Sequence, residues 1–219
     1  MTVRRMDMLS VGVIGLGAAL TAAVYERLPL RMATHFDLNG QPNGWMPREM
    51  GAWLCPAIAL GLWALLRFLP RILPKKEASR LGGGTPALMA ALTVSFVVAV
   101  HVLVLWVGVV PGASITSAVW LLLGAFYVAL GLVLPRVKRN ALIGIRTPWT
   151  LTSDENWART QRVGGYSMVI GGIVAGLAGL AGTAGAAAGG VVAIAALIIS
   201  AFVPAGYSLL LARRLERGS

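Results

Sequence analysis

Two residues in a polar segment near the N-terminus, His35 and Asp37, are of types that bind metal ions or transfer protons. An imidazole and a carboxylate are two of the ligands that Zn²⁺ accepts, and together they form an acid–base pair. A zinc site, however, needs at least three protein ligands, and the sequence offers no second cluster that would complete one. We therefore predict no metal site, no catalytic site and no cofactor.

The second group of residues with chemical potential surrounds Arg146. It lies in residues 136–165, which read RVKRNALIGIRTPWTLTSDENWARTQRVGG. Gly144 and Pro148 frame the arginine, and Thr147 is predicted to be extended because it precedes a proline. A planar guanidinium held in such a loop is suited to bidentate binding of a carboxylate or a phosphate. This pattern makes Arg146 a candidate binding residue.

A structural interpretation explains much of the same segment. Its basic residues would bind anionic lipid, and Trp149 and Trp157 would lie at the level of the lipid headgroups. Thr152 and Glu155 have the T-x-x-E spacing of a capping box, which predicts a short helix that continues through Trp157 to Arg162. The sequence alone leaves both interpretations open.

The polar segment from residue 26 to 49 contains two Asn–Gly dipeptides, which favour turns. In a structural interpretation, Asp37 and Asn39 cap the turns and Phe36 anchors the loop at the membrane interface. In a binding interpretation, the loop contacts a ligand outside the cytoplasm. The candidate contact residues are then His35, Phe36, Asp37, Asn39 and Gly40.

Both segments must be positioned by helices in a membrane, because the chain is too apolar for water. Of its 219 residues, 57% are hydrophobic and only 12% are charged, and the mean hydropathy is +0.77. A soluble protein carries about 25% charged residues. The sequence therefore predicts an all-α fold, a polytopic integral membrane bundle of six transmembrane helices.

Six apolar stretches are long enough, at about 20 residues each, to cross the core of a bilayer. They are residues 8–25, 51–69, 86–109, 114–134, 163–182 and 189–212. The first is interpreted as an uncleaved span rather than a signal peptide, because its apolar run is long for a signal. We group the spans as one membrane domain with three parts. These are residues 1–69 with the outer loop, 86–134 with spans three and four, and 135–212 with the Arg146 segment and spans five and six.

Basic residues are distributed very unequally between the connections. Of the 19 lysines and arginines, 16 fall in the two terminal tails and the second and fourth connections, and 3 fall in the first connection. Because cytoplasmic loops are enriched in basic residues, both termini are predicted to be cytoplasmic, with the protein in the cell membrane. The same rule accounts for the net charge of +11, so we do not expect nucleic acid as a partner.

Two features stand out inside the spans. His101 is the one strongly polar residue deep in a span, where it is either a functional group or a hydrogen-bond partner of a neighbouring helix. Gly172 and Gly176 form a GxxxG pair, and Ala175 and Gly179 form a second small-xxx-small pair. Both pairs allow helices to approach closely. They mark either a homodimer face or packing within one bundle.

The predicted cytoplasmic loop carries a pattern that extends over more than ten positions. It reads Asn140-x-x-Ile143-Gly144-Ile145-Arg146-Thr147-Pro148-Trp149-Thr150-Leu151, followed by Ser153 and Trp157. This pattern closely resembles the signature of the SdpI-type immunity family, whose members are associated with protection from a secreted antimicrobial toxin. The first loop, with Pro29 and His35-Phe36-Asp37-x-x-Gly40, is similar to the short uncharacterised domain that often precedes this signature. One departure is Gln161, at a position where many members have histidine.

The resemblance implies a non-enzymatic immunity protein that binds or excludes a membrane-active peptide at its outer face. The signature residues that it places on the cytoplasmic side are Asn140, Gly144, Arg146, Thr147, Pro148, Trp149 and Trp157. The implied partners are membrane lipids, a secreted peptide toxin, a cytoplasmic regulator and a second copy of the chain. The alternatives are a small-solute or lipid transporter, which would need a polar path through the spans, and an intramembrane enzyme that uses His35 and Asp37.

Overall fold

The structure, a computed structural model, describes residues 2–38, 40–82, 84–110, 112–181 and 186–217. In chain order its elements are α1 (Val3–Val24), β1 (Arg31–Phe36), β2 (Pro42–Pro47), α2 (Arg48–Ile72), α3 (Lys75–Leu81), α4 (Gly84–Val109), α5 (Thr116–Val133), α6 (Pro148–Thr152), α7 (Asp154–Ala181) and α8 (Ala186–Arg217). Short 3-10 turns follow α1 at Tyr25–Arg27 and α5 at Leu134–Arg136.

Within the described residues, six helices are long and apolar enough to cross a membrane, namely α1, α2, α4, α5, α7 and α8. The prediction of six spans is confirmed, and the chain is a multi-pass membrane protein. The largest difference in boundaries is at the fifth span, which was predicted to begin at residue 163 and begins at Asp154. Its first turns contain the buried polar residues Asn156, Thr160 and Gln161, which a hydropathy criterion assigns to a loop.

The six spans are arranged as two groups of three. In the first group, α1 and α2 pack on α4, and in the second group, α5 and α8 pack on α7. The groups meet where α4 contacts α5, a contact that we call the seam. The start of α1, the end of α8 and the connections after α2 and α5 lie on one face of the bundle, the termini face. The hairpin of β1 and β2 lies on the opposite face, the hairpin face.

Glycines permit the close approach of α5 and α7. A Cβ atom at Gly172 would lie 2.6 Å from the carbonyl oxygen of Gly124, and one at Gly165 would lie 2.7 Å from that of Gly131. Two helix backbones come this near only where no side chain separates them. Gly172, one half of the predicted GxxxG pair, therefore packs inside the bundle. A Cβ atom at Gly176, the other glycine of the pair, would have its nearest neighbour at 3.7 Å, so a methyl group would fit at this position.

His101 is buried in α4 and is hydrogen-bonded to a neighbouring helix. Its Nε2 atom lies 2.7 Å from the Oγ1 atom of Thr21 in α1. The Thr21 hydroxyl is also 3.1 Å from the carbonyl oxygen of Gly17 and 3.4 Å from that of Ala52 in α2. The predicted interhelical hydrogen bond is present, and it links all three helices of the first group.

The hairpin is a departure from the predicted all-α fold. Its strands pair antiparallel, with Arg31 opposite Pro47. Asp37 closes the turn, because its amide donates to the carbonyl oxygen of Gln41 and its Oδ1 atom accepts from the amide of Gln41, both at 2.9 Å. This is the turn-capping role expected of Asp37. The strands were missed because neither alternates apolar and polar residues cleanly, and a proline stands at each end of β2.

Candidate functional site

One residue of β1 fixes the hairpin to the membrane helices. Met32 is buried and packs in a cluster with Leu28, Ala52 and Leu105. A Cβ atom at Gly51 would lie 3.1 Å from the Cβ atom of Met32, so this glycine makes room for the strand. The hairpin is therefore held against α2 and α4 instead of projecting into solvent.

The tip of the hairpin rests on the start of α5. Gly40 has a φ of 74°, and a Cβ atom there would collide with the Oγ1 atom of Thr116. Glycine is required both by this left-handed backbone conformation and by the close contact. The tip thus reaches across the seam from the first helix group to the second.

Beneath the tip lies a cavity of about 300 Å³ between α4 and α5, which we call the hairpin cavity. The helices contribute mainly apolar side chains, among them Val100, Leu103, Val104, Val119 and Trp120. The hairpin contributes His35, Phe36, Asp37 and Gly40, four of the five predicted contact residues. The fifth, Asn39, lies outside the described residues. The structure therefore brings most of the predicted outer site to one cavity.

The polar groups at the rim of the hairpin cavity are engaged within the hairpin itself. The Nδ1 atom of His35 donates a hydrogen bond to Oδ1 of Asn43, and Asp37 accepts the bond from Gln41 described above. In the described part of the chain, no three His, Cys, Asp or Glu side chains are close enough to hold a metal ion. The arrangement can bind an apolar group and orient it by polar contacts at the rim.

The second site is the signature loop, residues 140–157, and it begins with a fully bonded asparagine. The buried side chain of Asn140 donates from Nδ2 to the carbonyl oxygens of Lys138 at 2.8 Å and Ile143 at 2.9 Å. Its Oδ1 atom accepts from the amides of Leu142 and Ile143, both at 2.8 Å. These four bonds use every donor and acceptor of the side chain. Asn140 therefore organises the first turn of the loop.

Gly144 and Trp157 close the signature loop onto α7. Gly144 has a φ of 120°, and a Cβ atom there would lie 3.0 Å from two ring atoms of Trp157. The buried indole donates from Nε1 to the carbonyl oxygen of Val137 at 2.8 Å. A side chain at position 144 would be disfavoured by the backbone and would also displace the tryptophan.

Gln161 binds the backbone of Ile145 with both ends of its amide. Its Oε1 atom accepts from the Ile145 amide at 2.9 Å, and its Nε2 atom donates to the Ile145 carbonyl oxygen at 3.0 Å. A neutral imidazole has its donor and its acceptor on different sides of the ring, so a histidine would not reproduce this pairing. Gln161, which stands where many family members have histidine, therefore holds the loop to α7 with a side chain that does not titrate.

Thr147 and Thr150 begin the short helix α6 and tie it to α8. Thr147 is extended, with φ −107° and ψ 162°, as predicted from the proline that follows. Each hydroxyl of the pair accepts a hydrogen bond from the other residue's amide, which makes a capping box. The Thr147 hydroxyl is also 3.0 Å from that of Ser208. The loop is thus bonded to two of the three helices in the second group.

The capping box predicted at Thr152 and Glu155 is wrong. Thr152 is the last residue of α6, and the cap of α7 is Ser153, whose Oγ atom accepts from the amide of Asn156 at 3.2 Å. The shift arises because Thr147 starts a separate helix, so the first extended residue before α7 is Ser153. The helix is also not short, since α7 continues through the whole fifth span.

Within the protein, the arginine that makes a bidentate contact is Arg139, whereas binding of a ligand by Arg146 stays a prediction. Arg146 is exposed, and its Nη1 atom donates to the carbonyl oxygen of Ala141 in the same loop. Arg139 binds both carboxylate oxygens of Asp154, with Nε–Oδ1 at 2.6 Å and Nη2–Oδ2 at 3.3 Å. It also donates to the carbonyl oxygen of Leu151 at 2.6 Å. No local spacing in the sequence signals this pair, because α6 intervenes.

Three polar residues that the sequence pattern did not single out lie where α7 packs on α8, namely Asn156, Thr160 and Ser208. Asn156 donates from Nδ2 to the carbonyl oxygen of Ser208 at 2.9 Å, and Thr160 donates to Oδ1 of Asn156 at 3.0 Å. The spacing of four residues between Asn156 and Thr160 places both on one face of a helix, and this was the available signal.

The remaining signature residues form the first turn of α6, where Pro148 is exposed and Trp149 is half-buried.

Two matches to known families fall on these two sites. Residues 136–208 match the model of the SdpI/YfhL protein family, and residues 12–60 match that of a domain of unknown function, DUF1648. The first match contains the whole signature loop, and the second contains the hairpin. Comparisons with curated proteins and with solved structures gave no match.

Proposed function

Because residues 136–208 match the model of the SdpI/YfhL protein family, we propose that this chain is a non-enzymatic immunity protein that protects its cell from a secreted, membrane-active peptide. The observation that carries the proposal is the hairpin cavity, a mainly apolar space at the seam of the two helix groups. A peptide that inserts into a membrane presents apolar side chains at about this depth. The cavity accommodates one of them.

The distribution of charge supports an outward-facing hairpin. The two terminal tails and the two connections on the termini face together hold 16 of the 19 basic residues. By the positive-inside rule, this face is cytoplasmic, in the cell membrane, and the hairpin face meets the secreted peptide. The toxin is therefore captured before it crosses the bilayer.

Affinity and orientation come from different parts of the hairpin cavity. Burial of an apolar side chain against Leu103, Val104 and Val119 supplies the affinity. The exposed side chain of His35 at the rim, which its hydrogen bond to Asn43 holds in place, supplies a directional polar contact through its other ring nitrogen. The hairpin is held in place at Met32 and Gly40, so little conformational entropy is lost on binding.

The signature loop reports occupancy of the hairpin cavity to a cytoplasmic regulator. The two ends of α5 connect the sites, because its first residue, Thr116, meets the hairpin tip and the turn after its last residue leads into the loop. Hydrogen bonds from Gln161 and to Ser208 bind the loop to α7 and α8. A shift of α5 at the seam would therefore move the loop together with its helix group.

The test is survival of a toxin-sensitive bacterial strain that expresses the chain, exposed to the secreted peptides of the producing organism. Leu103→Trp fills the hairpin cavity, whereas Val102→Trp adds the same indole at the neighbouring exposed position. At matched membrane abundance, we expect the wild type and Val102→Trp to protect, and Leu103→Trp to lose most of the protection. Equal protection by both variants, or none by the wild type, would contradict the proposal.

One observation favours a second candidate, a lipid or small-solute transporter. A further cavity of about 210 Å³ lies along the seam near the termini face, with Met89 and Leu130 in its wall. Between it and the hairpin cavity, Phe96 of α4 and Phe126 of α5 stack with ring centroids 4.3 Å apart. A displaced pair would join the two cavities. Faster flux of fluorescent lipid or solute in vesicles with Phe96→Ala than with wild-type protein would support transport, and flux equal to that of empty vesicles would exclude it.

A further inference from the structure

A cleft with a strongly basic rim lies on the termini face, where α3, α4 and the turn after α5 meet. Two cavities, of about 490 Å³ and 330 Å³, share the wall formed by Arg80, Arg136, Val137 and Lys138. We call the joined space the basic cleft. It lies on the opposite face from the hairpin cavity and takes no part in the peptide binding proposed above, although Trp157 of the signature loop lines its larger part.

Two of the cations in the basic cleft are not engaged by the protein. Arg139 is bound to Asp154, and Arg80 lies 3.3 Å from Glu77. Arg136 and Lys138 are exposed, and among the described residues their side chains make no ion pair or hydrogen bond. The cleft therefore keeps a surplus of positive charge at one point. A phosphate group between these side chains would satisfy that charge.

The wall of the basic cleft that faces the membrane is apolar. Met6, Leu81, Leu88 and Val133 line the smaller of its two cavities. The cavity of about 210 Å³ at the seam adjoins it and shares Val133 and Val137. Charged and apolar surfaces thus follow one another along a single path from the rim into the bundle.

This order of surfaces matches an amphiphile and not a free anion. The rim begins where α5 ends, at the 3-10 turn Leu134–Arg136, which is the level of the lipid headgroups for a helix that spans the bilayer. A basic pocket between helices at that level is suited to the headgroup of an anionic lipid. We propose that the basic cleft binds one anionic phospholipid, with its phosphate between Arg136, Lys138 and Arg80 and an acyl chain along Leu88 and Val133.

The first test measures binding of phosphatidylglycerol and of phosphatidylcholine with the same acyl chains to the purified full-length protein in detergent, by native mass spectrometry. Arg136→Gln with Lys138→Gln removes the free cations, and Arg213→Gln with Arg214→Gln removes the same charge elsewhere on the termini face. Each basic residue near an anionic lipid contributes about fivefold, so we expect binding of phosphatidylglycerol to fall about 30-fold in the first variant and by less than about twofold in the control. Equal losses in both, or equal binding of the two lipids to the wild type, would overturn the proposal.

The second test separates a lipid from a free anion. Leu88→Trp fills the apolar part of the basic cleft, and Leu132→Trp adds an indole at an exposed position of α5. We expect Leu88→Trp to weaken phosphatidylglycerol binding and Leu132→Trp to leave it unchanged, at equal thermal stability. If inorganic phosphate displaces the lipid completely at millimolar concentration and Leu88→Trp binds like the wild type, the site is one for a free anion and the proposal fails.

Discussion

At the scale of single residues, neutral amides shape the termini face of this protein. Asn140 saturates its side chain with four backbone bonds, and Gln161 pairs with both backbone groups of Ile145. A loop near the membrane has buried amides and carbonyls that water does not reach, and each one left unpaired costs free energy. Uncharged side chains satisfy them without the cost of burying a charge.

Replacement of Gln161 by methionine should therefore destabilise the protein while it preserves the volume of the side chain. Two hydrogen bonds to Ile145 are lost, which costs about 2 kcal/mol. We expect the thermal midpoint in detergent to fall by about 5 °C. Arg162→Met, at the exposed neighbouring position, is the matched control and should change the midpoint by less than about 2 °C. Equal midpoints for both variants would show that the pairing has no energetic role.

At the scale of elements, the start of α7 depends on a choice between two adjacent residues. Thr152 and Ser153 are both good N-cap types, and a T-x-x-E pattern favours the first. The structure uses Ser153, because α6 occupies the chain up to Thr152. The boundary of one element thus depends on the presence of another, which is itself started by Thr147.

Alanine substitutions distinguish the two caps. Ser153→Ala removes the oxygen that accepts from the amide of Asn156 and should cost about 1 kcal/mol of stability. Thr152→Ala removes only bonds to carbonyl oxygens of its own short helix and should cost less than about 0.5 kcal/mol. Thermal unfolding in detergent measures both. A larger loss for Thr152→Ala would restore the cap predicted from the sequence.

The contact of α5 with α7 depends on backbone approach, and the two glycines of one GxxxG pair differ in their roles. A Cβ atom at Gly172 meets the carbonyl oxygen of Gly124 at 2.6 Å, so Gly172→Ala forces the helices apart. The expected cost is about 1–3 kcal/mol, measured as a loss of thermal stability in detergent. Gly176→Ala, one turn along the same helix, has room for its methyl group and should be close to neutral. The prediction fails if the second variant is as unstable as the first.

At the scale of the whole molecule, the proposed sites lie along or beside the seam, the contact between the two helix groups. The hairpin cavity, the Phe96–Phe126 stack and the adjoining cavities near the termini face all lie along α4 and α5. The contact between the groups is narrower than the packing of each group on its own central helix, α4 or α7, and this leaves room for cavities along the seam.

The proposed orientation of the bundle is tested by cysteine labelling in intact cells. In a Cys55→Ser background, Gln41→Cys places a thiol on the hairpin and Arg214→Cys places one at the end of α8. A membrane-impermeant maleimide should label the first thiol in intact cells and the second only after permeabilisation. The reverse pattern would show that the hairpin faces the cytoplasm and would remove the basis for toxin capture.

The sequence by itself determined the number of spans and the two polar segments in which the candidate site residues lie. Hydropathy over about 20 residues is a property of contiguous chain, so it identifies spans without knowledge of their neighbours. Local steric rules likewise predicted the extended Thr147, and turn chemistry predicted the role of Asp37. Each of these signals acts between residues that are close in the chain.

Only the tertiary structure decided which residues meet across the bundle. The pairing of Arg139 with Asp154, the packing of Gly172 on α5 and the closure of the hairpin tip on Thr116 join elements that no local pattern relates. The start of α7 was missed for the same reason, since its polar side chains are buried by α8 and by the signature loop and not by lipid. Burial against protein allows polar residues inside a membrane helix, and hydropathy along a single chain does not detect it.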